Sequence, residues 1–147
     1  MIVAKTFYEL NNQELYQILR LRSEVFVVEQ DCVYQDLDNK DQISVHVFQK
    51  EKDEIVAYTR IFKSGDYYKN PSIGRVVVSK KNRGKQLGKK IMNNSIEYIK
   101  KNLKGEKIEI SAQKYLDKFY KDLGFYKIGE DYLEDGITHQ RMIKEIN

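Results

Sequence analysis

The apolar run Val76-Val77-Val78 stops at Ser79, and the next eleven residues, Lys80 to Lys90, hold five lysines, one arginine, two glycines and no acid. A continuously apolar strand has both faces buried, so it belongs in the middle of a sheet and needs other elements packed on both sides of it. The periodicity after the basic loop changes from strand to helix, with Leu87, Ile91, Ser95, Tyr98 and Ile99 on one face of a helix read from about Gly84 to Asn102. A central strand, a glycine-containing loop and a long helix in direct succession constrain the fold to helices packed on the faces of a sheet.

The flanking segments extend this pattern. Residues 2–10 alternate as a strand, and Asn11 or Asn12 caps a helix carrying Leu15, Ile18, Leu19, Arg22, Val25 and Phe26. A polar, acidic stretch (29–42) precedes a hairpin (43–63), and the sole proline, Pro71, leads into the apolar strand. Gly105 stops the long helix, "KIEISA" forms a strand, and a short helix over 114–125 ends at Gly124. Two strands around Glu134-Asp135-Gly136 complete the order β-α-β-β-β-α-β-α-β-β. The expected fold is of the α+β (α/β) class, a mixed, mostly antiparallel sheet of six to seven strands flanked by helices in a single domain, 1–147.

With 41% hydrophobic and 33% charged residues, the 147-residue chain has the composition of a globular protein. Its N-terminus lacks the basic start and apolar stretch of a signal peptide, and no run approaches the roughly 18 apolar residues of a membrane span. A cytoplasmic location and no membrane partner are expected. The lone Cys32 has no disulfide partner and no second thiolate for zinc. The net charge of +4 favours an anionic ligand, but only six of 26 basic residues are arginine and no aromatics interleave the basic loop. A nucleic-acid partner is therefore not expected.

A strand ending in a glycine-containing loop that opens a helix gathers unpaired backbone N–H groups with lysine and arginine, which suits a pyrophosphate. The two best-known phosphate loops, G-x-x-x-x-G-K-[ST] and G-x-G-x-x-G, are both absent. "RGKQLG", Arg83 to Gly88, instead resembles the acyl-CoA loop [RQ]-x-x-[GA]-x-[GA] of the Gcn5-related N-acetyltransferases (GNAT), departing at Gln86. "GRVVV" stands where that family's fourth strand would. "IEISAQKYLDKFYKDLGFYKIG" is similar to its later strand, tyrosine-bearing helix and Gly-Phe. "LRLRSEVFVVEQDCVYQDLD", "IGRVVVS", "AQ....FY..LGF" and "DGITH..M" further resemble its ElaA-like branch.

The resemblance implies acetyl transfer from acetyl-CoA, the only cofactor expected, to a primary amine without a covalent enzyme intermediate. Pantetheine would lie along Val76, Val77 and Val78, and pyrophosphate on the amides of Arg83, Gly84, Lys85, Gln86, Leu87, Gly88 and Lys89. Gln113 and Phe119 would complete the donor site. Tyr120 matches the family's tyrosine acid, while the same residue also belongs to a packing stripe with Leu116, Phe119 and Leu123.

His139 and His46, the two histidines, are the groups titrating nearest neutrality. His139 is the expected base, with ordered water as the alternative. Glu29, Asp36, Asp38 and His46 are expected around a cationic acceptor, a small molecule or a peptide. Arg60 and Arg75 are alternative partners for those acids. Asp36-x-Asp38-x-x-Asp41 does not meet the calcium-loop pattern, and no metal is expected. A homodimer is compatible with this reading. The other readings are a non-catalytic acyl-CoA-binding module of the same fold and a basic nucleic-acid-binding domain.

Overall fold

The structure, a computed structural model, describes residues 1–147 throughout. The alternating N-terminal segments form β1 (Ile2–Thr6), β2 (Val45–Glu51) and β3 (Glu54–Phe62), paired antiparallel in that order. The apolar run is β4 (Ser72–Val78), antiparallel to β3. With β5 (Lys107–Gln113), β6 (Tyr126–Glu134) and β7 (Ile137–Glu145) it makes one seven-stranded sheet, ordered β1-β2-β3-β4-β5-β7-β6. Only β4 and β5 run parallel. Such a pair needs a long crossover, supplied by the helix α2 (Leu87–Asn102). At the final hairpin, Asp135 (φ +51°) and Gly136 (φ +79°) both take left-handed conformations, as a two-residue turn matched to strand twist requires.

Helix α1 (Asn12–Arg22) starts from a reciprocal cap. Asn11 Oδ1 accepts from the Glu14 amide at 2.8 Å, and Glu14 Oε1 accepts from the Asn11 amide at 3.0 Å. Such a cap contributes about 1 kcal/mol. The helix continues as a π-helical segment, Ser23–Glu29, in which the Gln30 amide donates to the Val25 carbonyl at 3.1 Å. The buried face is Ile18, Leu21, Arg22 and Val25; Leu15 and Leu19, expected inward, are only half-buried. Two acids beneath the helix, Asp36 and Asp41, draw Arg22 inward, and Leu21 beside it is buried as well.

Helix α2 begins at Leu87, not at Gly84. Gly84 (φ +84°) and Gln86 (φ +61°) are left-handed, a conformation that a right-handed helix cannot contain. The helix buries Leu87, Ile91, Met92, Ser95, Ile96 and Ile99 on one side of the sheet, with Tyr98 at the margin. Ser95 is tolerated there because its hydroxyl donates to the Ile91 carbonyl (2.8 Å) and hydrogen-bonds Thr59 (2.6 Å). On the opposite face, Ile18, Leu21 and Val25 pack on Phe48, Ile55, Tyr58 and Val77. The short α3 (Asp117–Asp122) ends at Gly124 (φ +96°), whose amide donates to the Lys121 carbonyl at 2.9 Å.

Two departures from regular pairing create a cleft. Between Tyr58 and Arg60 the β3–β4 register slips, so Arg75 and Val76 oppose the single residue Thr59, with Arg75 at φ +49°. This bulge bends β4. Meanwhile β4 and β5 pair only at Ser72 and Glu109, and then part. The remainder of β4 therefore presents an unpaired backbone edge inside the sheet.

Candidate functional site

The parting strands enclose an open cleft of about 670 Å³, walled by Val76, Val77 and Val78 of β4, the loop after it, Gln113 of β5, and Phe119 and Tyr120 of α3. Ser79 N donates to Val56 O at 2.8 Å, so by antiparallel alternation the N–H and C=O of Val78 point away from β3. Arg83 Nε takes that Val78 carbonyl at 3.2 Å. The Val78 N–H is left directed into the cleft.

At the mouth, the first intrahelical bond of α2 comes from the Lys90 amide to the Gln86 carbonyl, 3.1 Å. No side chain caps the helix, so the Leu87, Gly88 and Lys89 amides have no helical acceptor and carry the positive end of the helix dipole. Gly84 has open space around it, whereas a Cβ on Gly88 would stand 3.5 Å from the Phe119 ring and 3.7 Å from Val78. Gly88 thus seats α2 against both walls. Lys85 is exposed and is not among the residues that line the cleft.

Arg83 holds Glu29 in a two-pronged ion pair, Nη1–Oε2 2.6 Å and Nη2–Oε1 2.9 Å. The Arg83 hydrogen bonds keep the Glu29 carboxyl below its ordinary value. Gln30 faces Gln113 amide to amide at 3.4 Å, and Cys32 Sγ lies 3.5 Å from the Asp135 carbonyl. One segment, residues 29–32, therefore touches the basic loop, β5 and the β6–β7 turn, and straps the cleft.

Tyr120 is rooted in the core, edge-on to Phe119 (5.0 Å) and Phe125 (6.0 Å), and also lines the cleft. Burial pushes its phenol above the ordinary value, with no hydrogen bond contributing. His139 lines the cleft from β7. Its Nδ1–H donates to the Ile137 carbonyl at 2.8 Å, leaving Nε2 as an acceptor 3.4 Å from Glu134 Oε2. Glu134 was read from the sequence only as a turn residue; its offset of five from His139 across a hairpin was the available signal.

The expected acceptor residues divide. Glu29 lines the cleft, but Asp36, Asp38 and His46 do not. Asp36 accepts from Arg22 Nε (2.9 Å), Arg75 Nε (2.8 Å) and Tyr34 OH (2.8 Å). Asp38 takes Arg60 through both Nη atoms, at 2.9 and 2.8 Å, and Asp41 bridges Arg22 and Arg60 at 2.8 Å each. The three acids meet three guanidinium groups, which corrects the reading of Asp36 and Asp38 as acceptor ligands in favour of the alternative, partners of Arg60 and Arg75, and pins residues 36–41 onto α1, β3 and β4. His46 is fully buried. Its Nε2–H donates to the Asp41 carbonyl (2.9 Å), its Nδ1 accepts from Tyr58 OH (2.6 Å), and desolvation lowers its pKa. It has no free nitrogen for a substrate.

This network has a pH signature. Burial alone would raise the Asp38 carboxyl, but the Arg60 hydrogen bonds and charge outweigh it and bring the value to about 2. The reference value for the unfolded chain is about 3.9. A depressed carboxylate contributes stability that is complete above the unfolded value and lost as pH falls through the folded one. The urea midpoint should therefore drop between about pH 4 and pH 2, and Asp38→Asn should flatten that drop. An unchanged slope in the variant would contradict the assignment.

A family description, "Acetyltransferase (GNAT) domain", matches residues 6–146. Protein ElaA of Escherichia coli is 41% identical over 140 residues, covering 94% of this chain and 92% of that protein. The crystal structure of E. coli ElaA superposes with a TM-score of 0.92 at 38% identity, covering 99% of both chains. An acyl-CoA N-acyltransferase from Pseudomonas aeruginosa superposes at 0.90 with 35% identity, covering 98% of this chain and 99% of that one. No helix is long and apolar enough to cross a membrane. A β4 strand that parts from β5 beside an uncapped helix, on a fold shared nearly end to end with these proteins, places the chain in the GNAT acyltransferase family, in its ElaA-like branch.

Proposed function

We propose that the protein transfers an acetyl group from acetyl-CoA to a primary amine by direct attack. The observation that carries this reading is the unpaired β4 edge running into three uncapped amides of α2. Val76, Val77 and Val78 receive the pantetheine arm as an added strand. The Leu87, Gly88 and Lys89 amides receive the pyrophosphate, with Arg83 beside them. Gly84, Gln86, Gln113 and Phe119 shape the surrounding wall.

His139 Nε2 takes the proton of the attacking nitrogen, directly or through one water, and Glu134 steadies the resulting imidazolium. As the C–N bond forms, the Val78 N–H stabilises the negative charge developing on the carbonyl oxygen. As the C–S bond breaks, Tyr120 donates to the departing sulfur. A phenol of raised pKa keeps its proton until that charge appears. The products are an N-acetylated amine and CoA thiol, and Tyr120 and His139 return to their starting states through solvent.

Calorimetric titration with acetyl-CoA, at low and moderate salt, tests the reading. One site per chain with micromolar affinity at both salts is the expected result; no binding at either overturns it. Gly88→Asp should abolish that binding, because it sets a carboxylate among the phosphate-binding amides. Lys80→Ala, on the exposed turn after β4, should change it little. Equal effects of the two variants would remove the loop from the donor site.

A further inference from the structure

We propose, on the basis of the function above, that the acceptor is a primary amine carried on an aromatic group, an arylalkylamine. The end of the cleft beyond His139 is built from rings. Phe62 and Tyr67 stack with centroids 5.0 Å apart and planes at 11°, Tyr68 meets Tyr67 edge-on at 4.8 Å, and Tyr34 also lines this space. Tyr67 is 41% exposed, so its outer face is open to a further ring. A flat apolar group gains both burial and favourable ring geometry against such a wall.

The charges sort the acceptors further. Arg60 and Arg75 reach the cleft, but Asp36, Asp38 and Asp41 hold their guanidinium groups. Arg141 is paired with Glu109 and lies over the Tyr68 ring. The carboxylates of Glu134 and Asp135 line the same end, and neither forms an ion pair with a lysine or arginine. One ammonium group is therefore attracted to the Glu134 side, next to His139 Nε2; Phe62, Tyr34 and Tyr68 already carry Arg60, Arg75 and Arg141 over a face, which leaves Tyr67 as the ring open to a substrate.

A second or third ammonium, as in a polyamine, would find no free carboxylate on the side of Arg60 and Arg75, because Asp36, Asp38 and Asp41 are already taken up by those guanidinium groups. An amino sugar would set its hydroxyls against ring faces, and the Ser111 hydroxyl is already bonded to Tyr132. An amine linked to an aromatic ring satisfies both halves of the pocket: nitrogen toward Glu134 and His139, ring on Tyr67.

The test is CoA release by the full chain with acetyl-CoA and four amines at matched concentration: 2-phenylethylamine, spermidine, glucosamine and an Nα-blocked lysine. The expected result is a kcat/KM for 2-phenylethylamine about tenfold or more above the others. Tyr67→Ala and Tyr67→Leu should each raise its KM about fivefold to tenfold, as lost aromatic contact predicts, with acetyl-CoA affinity unchanged by calorimetry. Preference for spermidine, glucosamine or lysine overturns the acceptor assignment while leaving the transferase reading standing. So does an equal loss for all four amines in the Tyr67 variants, or binding of acetyl-CoA without turnover of 2-phenylethylamine. Failure to bind acetyl-CoA at all would overturn both readings.

Discussion

Replacing Asp41 by alanine is expected to lower the stability of the folded protein by about 3–5 kcal/mol, the cost of removing one partner from a buried charge network. Asp41 is the only carboxylate shared by Arg22 and Arg60, each at 2.8 Å, and both guanidinium groups are almost wholly buried. Water cannot compensate either cation once the carboxylate is gone. Against a total of roughly 5–15 kcal/mol for a domain, the loss leaves a marginal fold. It also removes one of the ties that hold residues 36–41 to α1 and to β3, leaving those made by Asp36 and Asp38. Urea unfolding followed by far-ultraviolet circular dichroism measures the effect. Lys81→Ala, which breaks the exposed pair with Glu54, is the control and should change little. A cost for Asp41→Ala below about 1 kcal/mol would mean that the buried cations find other partners.

Tyr120→Phe carries the largest expected effect on activity, a fall in kcat of about 10²- to 10³-fold, the range for loss of one proton donor in the transition state. The variant keeps the ring that packs on Phe119 and Phe125, so the fold and the donor affinity should be preserved. The hydroxyl has no protein hydrogen bond to lose. Single-turnover measurement with saturating acetyl-CoA and a primary amine separates the chemical step from release. A kcat within about threefold of the parent would be too small for an acid role and would leave Tyr120 as a core aromatic.

Much of the architecture was readable because it depends on neighbours in sequence. The apolar β4 run, the basic loop with its two glycines, the amphipathic α2 and the Asp135-Gly136 turn each express a local period or a local backbone demand. Their order dictated a mixed sheet with a crossover helix. The start of α2 was misplaced by three residues because pattern alone does not reveal that Gln86, a residue with no special liking for it, adopts φ +61°. The buried face of α1 was read correctly at Ile18, Arg22 and Val25 but missed Leu21 and took Leu15 and Leu19 too far inward.

The acidic segment shows where local reasoning ends. Asp36, Asp38 and Asp41 have the composition of a solvated, cation-seeking loop, and nothing near them in sequence says otherwise. Their partners are 14 to 39 residues away, on α1, β3 and β4. Glu29 is joined to Arg83 across 54 residues and Cys32 to the Asp135 carbonyl across 103.

The sequence by itself determined the order of the elements, the inward face of α2 and the place of the glycine-containing basic loop, because hydrophobic periodicity and backbone preference act over a few residues. Tertiary structure alone decided which charges are consumed within the fold and which face the cleft. A charge's partner is set by distance in space, and so the pairing of Glu29 with Arg83 became visible only once residues 29–32 were laid across the cleft.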